Sequence, residues 1–351
     1  MINNPLVTVV LPTYKRPKLL KRAIQSVLNQ TYPHFKIYIY DDASGDNTGE
    51  VVAEMAKNDS RIFYHCNEQN LGVIYNSQQA WKKVDTPYFI ELCDDNLLLP
   101  NCLESALNGF EKYPEALMSV NQVIFVNSKW QILRVTLAES CREGLYEHPE
   151  GLLFLIKEIP YIISGALFRR EVTQKVGEYD PEIGLLADWD YAFRIAAQFS
   201  YAVNQTPGVI FYGDETSASI NARSDFVWPQ WLKMYQRIVE HPNLDLETKN
   251  EVETHLKIRL KQMLVGQGKE AVRCGNYSVA GMSANVLKDF FKSPRHYLKL
   301  KLFAFASRWF PPYRWYLNLF NELRGKKKRS EIKDRFSEFH KYTSSMKDMD
   351  W

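Results

Sequence analysis

Residues 7–48 read VTVVLPTYKRPKLLKRAIQSVLNQTYPHFKIYIYDDASGDNT. With Leu6, the first residues form a continuous, β-branched apolar run, the pattern of a strand buried on both faces. Pro12-Thr13-Tyr14-Lys15-Arg16-Pro17 breaks that run. Leu19, Leu20, Ala23, Ile24, Val27 and Leu28 then fall at helical spacing. After the loop Gln30-Thr31-Tyr32-Pro33, residues 35–40 (FKIYIY) give a second strand that stops at Asp41-Asp42. Strand, helix and strand in this order make a βαβ unit and predict a parallel sheet.

The alternation continues outward. Residues 48–56 read as a second helix, 62–65 as a short third strand, 73–83 as a third helix and 88–92 as a fourth strand. The fourth strand runs into Cys93-Asp94-Asp95-Asn96. Two adjacent carboxylates repel unless a cation sits between them. At the carboxyl edge of an open α/β sheet, where ligands bind, Mg²⁺ or Mn²⁺ held together with substrate phosphates is one reading. An Asp cap on a helix starting near Pro100 is the other. Three polar loops, Pro12-Thr13-Tyr14, Asp41-Asp42 and Asp94-Asp95, fall on the same edge, and repeated capping does not explain that convergence. Neither GxGxxG nor a P-loop occurs, so the dinucleotide fingerprint and the Walker nucleotide site are both excluded.

The 351 residues suffice for a full α/β domain and an appendage. A hydrophobic content of 45%, a charged content of 24% and a net charge of +3 point to a globular protein without a charge-selected partner. Cys66, Cys93, Cys102, Cys141 and Cys274 are odd in number and form no CxxC, which favours reduced thiols in a cytosolic setting. The first residues lack the features of a signal peptide. No apolar run approaches the ~20 residues of a membrane-crossing helix.

The order of P-T-Y-K-R after the first strand, S-V-L-N-Q-T-Y closing the first helix and D-D-A-S-G-D after the second strand resembles the N-terminal half of family 2 glycosyltransferases. The Asp94-Asp95 stretch resembles that family's metal-binding DxD region. The resemblance covers most of residues 5–100. It implies the GT-A fold, a mainly parallel sheet flanked by helices. It also implies that the Pro12-Thr13-Tyr14 loop, Arg16 and Asp41 hold the nucleoside of a sugar nucleotide, with Asn70 and Asp94 at the same donor site. Counting back from Pro100 puts Asp95 at the main metal-ligand position, with Asp94 beside it. Cys93 and Asn96 depart from the pattern there, and Tyr75 stands where many relatives carry Arg.

Further along, Ile162–Val172 (IISGALFRREV) and Val176-Gly177-Glu178-Tyr179-Asp180 resemble the family's second signature. Leu186–Ala196 (LADWDYAFRIA) follows as an acid-rich helix start. Asp188 and Asp190 suit the positive end of a helix dipole. The resemblance makes Asp188 the general base of an inverting transfer, with Ala187 replacing the family's Glu. Asp190 is the alternative base, or else a helix-positioning or acceptor-binding group, and it joins Trp189 and Gly165 as sugar-contact candidates. Residues 117–135 read as a hairpin, and 201–212 as two short strands. Gly213 and Glu215 replace the family's Arg and His, leaving Glu215 as an oxygen ligand or a surface acid in a lid.

Residues 1–222 are therefore expected to form a GT-A domain, divided into a nucleotide-binding half (1–100) and an acceptor half (101–222). Residues 223–351 are expected to form a helical C-terminal extension able to mediate oligomerisation. Its segment 293–329 interleaves Arg and Lys with Phe, Trp and Tyr. That composition suits an anionic membrane surface, or else a helix packed on the core with a solvated basic end; no nucleic-acid motif accompanies it. The implied function is transfer of a sugar, with inversion, from a UDP-sugar or other nucleotide-diphosphate sugar to the hydroxyl of a glycan or lipid-linked acceptor. Mg²⁺ or Mn²⁺ would assist, in cytoplasmic envelope or polysaccharide synthesis peripheral to the inner membrane face. A non-catalytic nucleotide-sugar-binding module and a sugar nucleotidyltransferase are the alternatives.

Overall fold

The structure is a computed structural model that describes residues 6–137, 142–158, 162–213, 226–309 and 335–347. Four parallel strands form its nucleus: β1 (Val7–Thr13), β2 (Phe35–Asp41), β3 (Ile62–Cys66) and β4 (Tyr88–Glu91), in the order β3-β2-β1-β4. Every residue of β1 is buried, as its unbroken apolar run requires. The crossovers are α1 (Pro17–Leu28), α2 (Thr48–Ala56) and α3 (Val73–Lys82). Pro17 opens α1, where its missing N–H costs no helix bond. Leu20, Ala23, Ile24 and Val27 face the sheet.

The second half extends the same sheet. It adds β5 (Leu97–Leu98), α4 (Cys102–Lys112), β6 (Met118–Asn127), β7 (Ile132–Val135), β8 (Gly144–Tyr146), α5 (Glu150–Glu158), β9 (Ala166–Arg169), α6 (Val172–Lys175), α7 (Ala187–Ala196) and β10 (Tyr201–Gly213). The ten-stranded sheet runs β3-β2-β1-β4-β9-β6-β10-β5, with β7 on β6 and β8 on β10. β9 lies antiparallel between β4 and β6, and β6 and β7 form the expected hairpin.

The two short strands expected over 201–212 are one strand. β10 pairs with β6 along its length, with register shifts between Asn204 and Pro207 and between Pro207 and Val209. Pro207 cannot donate to the ladder, so the strand bulges there and does not end. Asn121 seals the irregularity from β6. Its Nδ2 donates to Cys102 O at 2.9 Å, and its Oδ1 accepts from Ser105 Oγ and Asn204 Nδ2, each at 3.1 Å. Gly208 packs so tightly that a Cβ would lie 2.6 Å from Asn121 Cβ.

By contacts the chain divides into two compact units, Met1–Gly213 with Phe336–Trp351, and Asp214–Arg335. The second unit is helical: α8 (Trp228–Val239), α9 (Leu246–Cys274), α10 (Tyr277–Asp289) and α11 (Pro294–Trp309). Asp245 caps α9 by accepting from Thr248 N at 2.8 Å, and left-handed Gly275 ends it. The first unit closes with α12 (His340–Lys347). Cys141, Glu215 and residues 310–329 of the basic aromatic segment lie outside the described residues.

Asn121→Ala should lower unfolding stability by about 2–4 kcal/mol, because it leaves several buried partners unbonded at once. Urea denaturation would show this as a lower midpoint at an unchanged slope; an unchanged midpoint would remove Asn121 from the account of the bulge.

Candidate active site

The carboxyl ends of β1, β2 and β4 meet, and their loops bond to each other. Asp94 and Asp95 are both buried and share one cation: Arg16 Nη1 lies 3.0 Å from Asp94 Oδ1 and 3.5 Å from Asp95 Oδ2. Thr13 Oγ1 donates to Asp94 Oδ2 at 2.8 Å. Burial pushes the Asp94 carboxyl up to about 6, with Arg16 opposing and Asp95 adding to the rise. The pair does not cap a helix, since the chain passes through β5 before α4 starts. The loop is fixed from the far side by Ser164, whose Oγ accepts from Cys93 N at 3.1 Å and Asn96 Nδ2 at 3.0 Å. Asn96 Oδ1 in turn accepts from Tyr212 N.

The two acids after β2 divide their work. Asp41 accepts from Ser44 N and Oγ on one oxygen and from Tyr64 OH, at 2.6 Å, on the other. Asp42 holds a loop: its carboxylate accepts from Leu71 N and Gly72 N, each at 2.8 Å, and from Asn67 Nδ2 at 2.9 Å. Asn70 Nδ2 reaches Asp42 O at 3.2 Å, and Asp42 N donates to Thr13 O, joining the β1 and β2 loops. Pro12 is buried, whereas the Tyr14 side chain beside it stays 41% exposed. Lys15 follows in the left-handed region (φ 55°), its N–H donating to Ser44 Oγ.

Asp188 sits in the first turn of α7, where Trp189 N donates to its Oδ1 at 2.8 Å. Burial pushes its pKa up to about 7 against that bond. Glu91, the last residue of β4, is a second buried acid. Burial raises it to about 7, Trp81 Nε1 donating at 2.7 Å opposes, and the Asp188 charge adds to the rise. The Cys93 thiol, driven well up by burial, feels Asp95 and Glu91. Asp188 on α7 thus acts on the last residue of β4, while the acids after β4 act on the Cys93 thiol.

Asp190 takes the helix-positioning alternative, and Gly165 is a packing position. Asp190 is 0% exposed and bonded to Arg194 Nε at 2.8 Å. Arg194 also donates to Val176 O and Glu178 O. Asp190 thus anchors α7 to the preceding loop and is sealed from any sugar. Gly165 is a packing glycine in a buried 3₁₀ turn, where a Cβ would sit 3.0 Å from Val123 Cγ2. Trp189 is half-buried. Sequence reasoning gave no role to Ser44 and Ser164, although both lie in the signatures it matched, and it missed Tyr64, which carries no pattern of its own. It also missed Glu91, whose signal is an acid inside an otherwise apolar strand.

Among the described residues no cluster of three or more His, Cys, Asp or Glu could hold a metal. Asp94 and Asp95 do offer hard oxygen donors on adjacent residues. In this structure those oxygens are bridged by Arg16, so an ion held by the pair together with substrate phosphates would share them with the guanidinium.

The sequence pattern of glycosyl transferase family 2 matches residues 8–177. Through this segment the chain belongs to glycosyl transferase family 2. The matched residues include Thr13, Arg16, Asp41, Asp94 and Asp95 and end before Asp188. The family 2 chain is 33% identical over 222 residues to the GalNAc(5)-diNAcBac-PP-undecaprenol beta-1,3-glucosyltransferase of Campylobacter jejuni, covering 62% of this chain and 59% of that protein. Four curated relatives are covered over 35% to 69% of their own length. Among solved structures, Staphylococcus aureus TarS 1–349 in complex with UDP-GlcNAc is similar at TM-score 0.61 and 12% identity, over 86% of this chain and 91% of that one. The Pyrobaculum calidifontis mannosyltransferase PcManGT, in complex with GDP-Man and Mn²⁺, is similar at TM-score 0.54 and 16% identity, over 96% and 88%. At these identities the likeness shows the fold, a GT-A sheet with a helical C-terminal region.

Proposed function

We propose that this glycosyltransferase moves a sugar from a UDP-sugar to a hydroxyl of a lipid-linked glycan, with inversion. The observation that carries this reading is the Arg16-bridged Asp94–Asp95 pair, held by Thr13 where the loops of β1, β2 and β4 meet, with the Asp188 charge acting on Glu91 at the end of the same β4 strand. The UDP-GlcNAc complex of a protein with this fold supports the donor class. The undecaprenol-linked substrate in the Campylobacter relative's name supports the acceptor class.

The nucleoside lies against the Pro12-Thr13-Tyr14 loop and Asp41, where the exposed Tyr14 ring can stack on a base. Asn70 borders the same site. Asp95 and Asp94 would hold Mg²⁺ or Mn²⁺, and when bound the ion supplies Lewis-acid neutralisation of the leaving diphosphate. Arg16 adds a fixed positive charge beside the same phosphates. Asp188, its Oδ1 held by Trp189 N–H, takes the acceptor's hydroxyl proton on Oδ2. The acceptor oxygen bonds to the anomeric carbon as the carbon–oxygen bond to the diphosphate breaks. The nucleoside diphosphate leaves with the electron pair, and one displacement inverts the centre. The rival is a binding-only module, favoured by Cys93 and Ala187 at positions where relatives carry acids. UDP-sugar hydrolysis without acceptor would exclude it.

Peripheral membrane contact belongs to the same reading. No helix among the described residues is long and apolar enough to cross a membrane. On α11, Leu298, Leu302, Phe305 and Trp309 are 56–64% exposed. At 3.6 residues per turn they fall within about 60° of each other. Arg295 and Lys299 flank this stripe on one side, Lys301 and Arg308 on the other, while Leu300 and Ser307 are buried behind it. An apolar ridge between two rows of cations complements an anionic bilayer surface.

Asp188→Asn should lower turnover by about 10²–10⁴-fold and leave UDP affinity nearly unchanged. In the wild type, kcat/KM should fall as pH drops below about 7, because the raised carboxyl then takes up its proton and cannot act as base. Normal turnover in the variant would remove Asp188 from the mechanism. Asp95→Ala should abolish the Mn²⁺-dependent part of UDP binding by calorimetry; equal affinity with and without Mn²⁺ in the wild type would argue against the metal role. Leu302→Glu with Phe305→Glu should release the protein from phosphatidylglycerol-containing vesicles in a sedimentation assay. Wild-type protein that stays in the supernatant at low salt would defeat the membrane contact.

A further inference from the structure

Within the first unit, a cavity of about 300 Å³ opens between β6, β10 and the segment leading into α12. Gln122, Gln205 and Pro207 line it from the sheet, and Glu338, Phe339, Lys341 and Tyr342 from the C-terminal segment. Its size sits at the lower end of small-molecule pockets, roughly 300–1,000 Å³. The backbone explains why it is there. Pro207 is the register partner of Gln122 and lies at the β10 bulge. Asn121 turns its amide toward α4, so by strand alternation Gln122 takes the opposite face.

Gln122 is the decisive residue. Its side chain is 4% exposed, yet Oε1 accepts no hydrogen bond from any described residue. A buried amide oxygen without a donor is disfavoured and calls for an occupant that supplies one. The remaining walls narrow the choice. Phe339 and Tyr342 stand with ring centroids 6.4 Å apart, tilted by 40°. Glu338 and Lys341 contribute one charge of each sign, which does not select a phosphate or another anion. An aromatic wall that packs against C–H groups, facing an amide that needs an O–H donor, is the chemistry of an uncharged sugar ring.

We propose that this cavity is a carbohydrate subsite that holds one sugar unit of the acceptor glycan, separate from the donor site at Asp41 and Asp94–Asp95. The choice of a sugar as ligand rests on the transfer reading above. Gln122 Oε1 accepts from a sugar hydroxyl, and Phe339 with Tyr342 covers the ring.

Saturation-transfer NMR on the full chain tests this, using methyl glycosides of glucose, galactose, N-acetylglucosamine and N-acetylgalactosamine, with UDP as a second ligand. At least one glycoside should give a signal. Q122L should weaken its binding by about fivefold or more, the loss of one hydrogen bond, while the UDP signal persists. Y342A, at the half-exposed rim, should weaken the same glycoside and serves if Q122L fails to fold. D41N should weaken UDP and leave the glycoside signal intact, so a failed donor site and a failed subsite give different patterns. No signal from any glycoside, or wild-type glycoside binding in both Q122L and Y342A, would overturn the proposal.

Discussion

Two buried carboxylates on consecutive residues are the constraint around which the rest of the first unit is arranged. Asp94 and Asp95 cannot both stay ionised at low exposure without a cation, and Arg16 is the cation they share. Buried charge of this kind is weak evidence for stability, because desolvation offsets most of the attraction. Its effect is positional: it fixes two carboxylates and a guanidinium where the loops of β1 and β4 meet. Arg16 stands at the N-terminal end of α1, where the helix dipole disfavours a cation. That unfavourable placement is what brings the guanidinium over the acid pair. Thr13 then fixes the pair's orientation, and Ser164 fixes the loop that carries it.

A second division falls at the end of β2. Asp41 ends β2 and Asp42 begins the loop, and the two carboxylates take different partners. Asp42 spends both oxygens on backbone N–H groups of the Leu71–Gly72 turn, and Gly72 meets the demand with φ 84°. Asp41 instead accepts from Ser44, through both backbone and side chain, and from the Tyr64 hydroxyl, so two of its three donors are side-chain groups that can rotate. The hydrogen bond to Asp41 and burial both raise the Tyr64 hydroxyl pKa, which keeps that group a donor throughout the neutral range. The loop acid is therefore committed to structure and the strand acid to exchangeable partners.

The nucleus of the fold was legible because strands buried on both faces must be apolar throughout. β1, β2 and β4 could be read as apolar runs, the last two leading into acid pairs, without any sheet in view. β10 was not legible, because Pro207-Gly208 reads as a break. Only the Asn121–Asn204 bridge and the close approach at Gly208 let the strand continue. β5 has two residues and so no period to detect. In the site, the acids announced themselves and their partners did not. Tyr64 reaches Asp41 across 23 residues, and Ser164 reaches Cys93 across 71. Nothing local distinguishes such a Ser or Tyr from its neighbours. Asp190 shows the converse, since its pattern was right and its burial beneath Arg194 was invisible.

Glu91 adds the last term to the electrostatics. It and Asp188 are both raised to about 7, mainly by burial, and the Asp188 charge acts on Glu91. Two carboxyls that interact this way give up protons in steps that belong to the pair. Glu91 has no route to act as a base while Trp81 Nε1 pins one oxygen inside the core. The Asp188 charge favours its protonated form, and the Trp81 N–H favours the ionised one. The Asp188 carboxyl is itself raised by burial against the Trp189 N–H. An acid inside the apolar run of β4 thus answers to the charge on α7 and to the indole of α3, while burial moves the ionisation of the α7 carboxyl itself to near neutral pH.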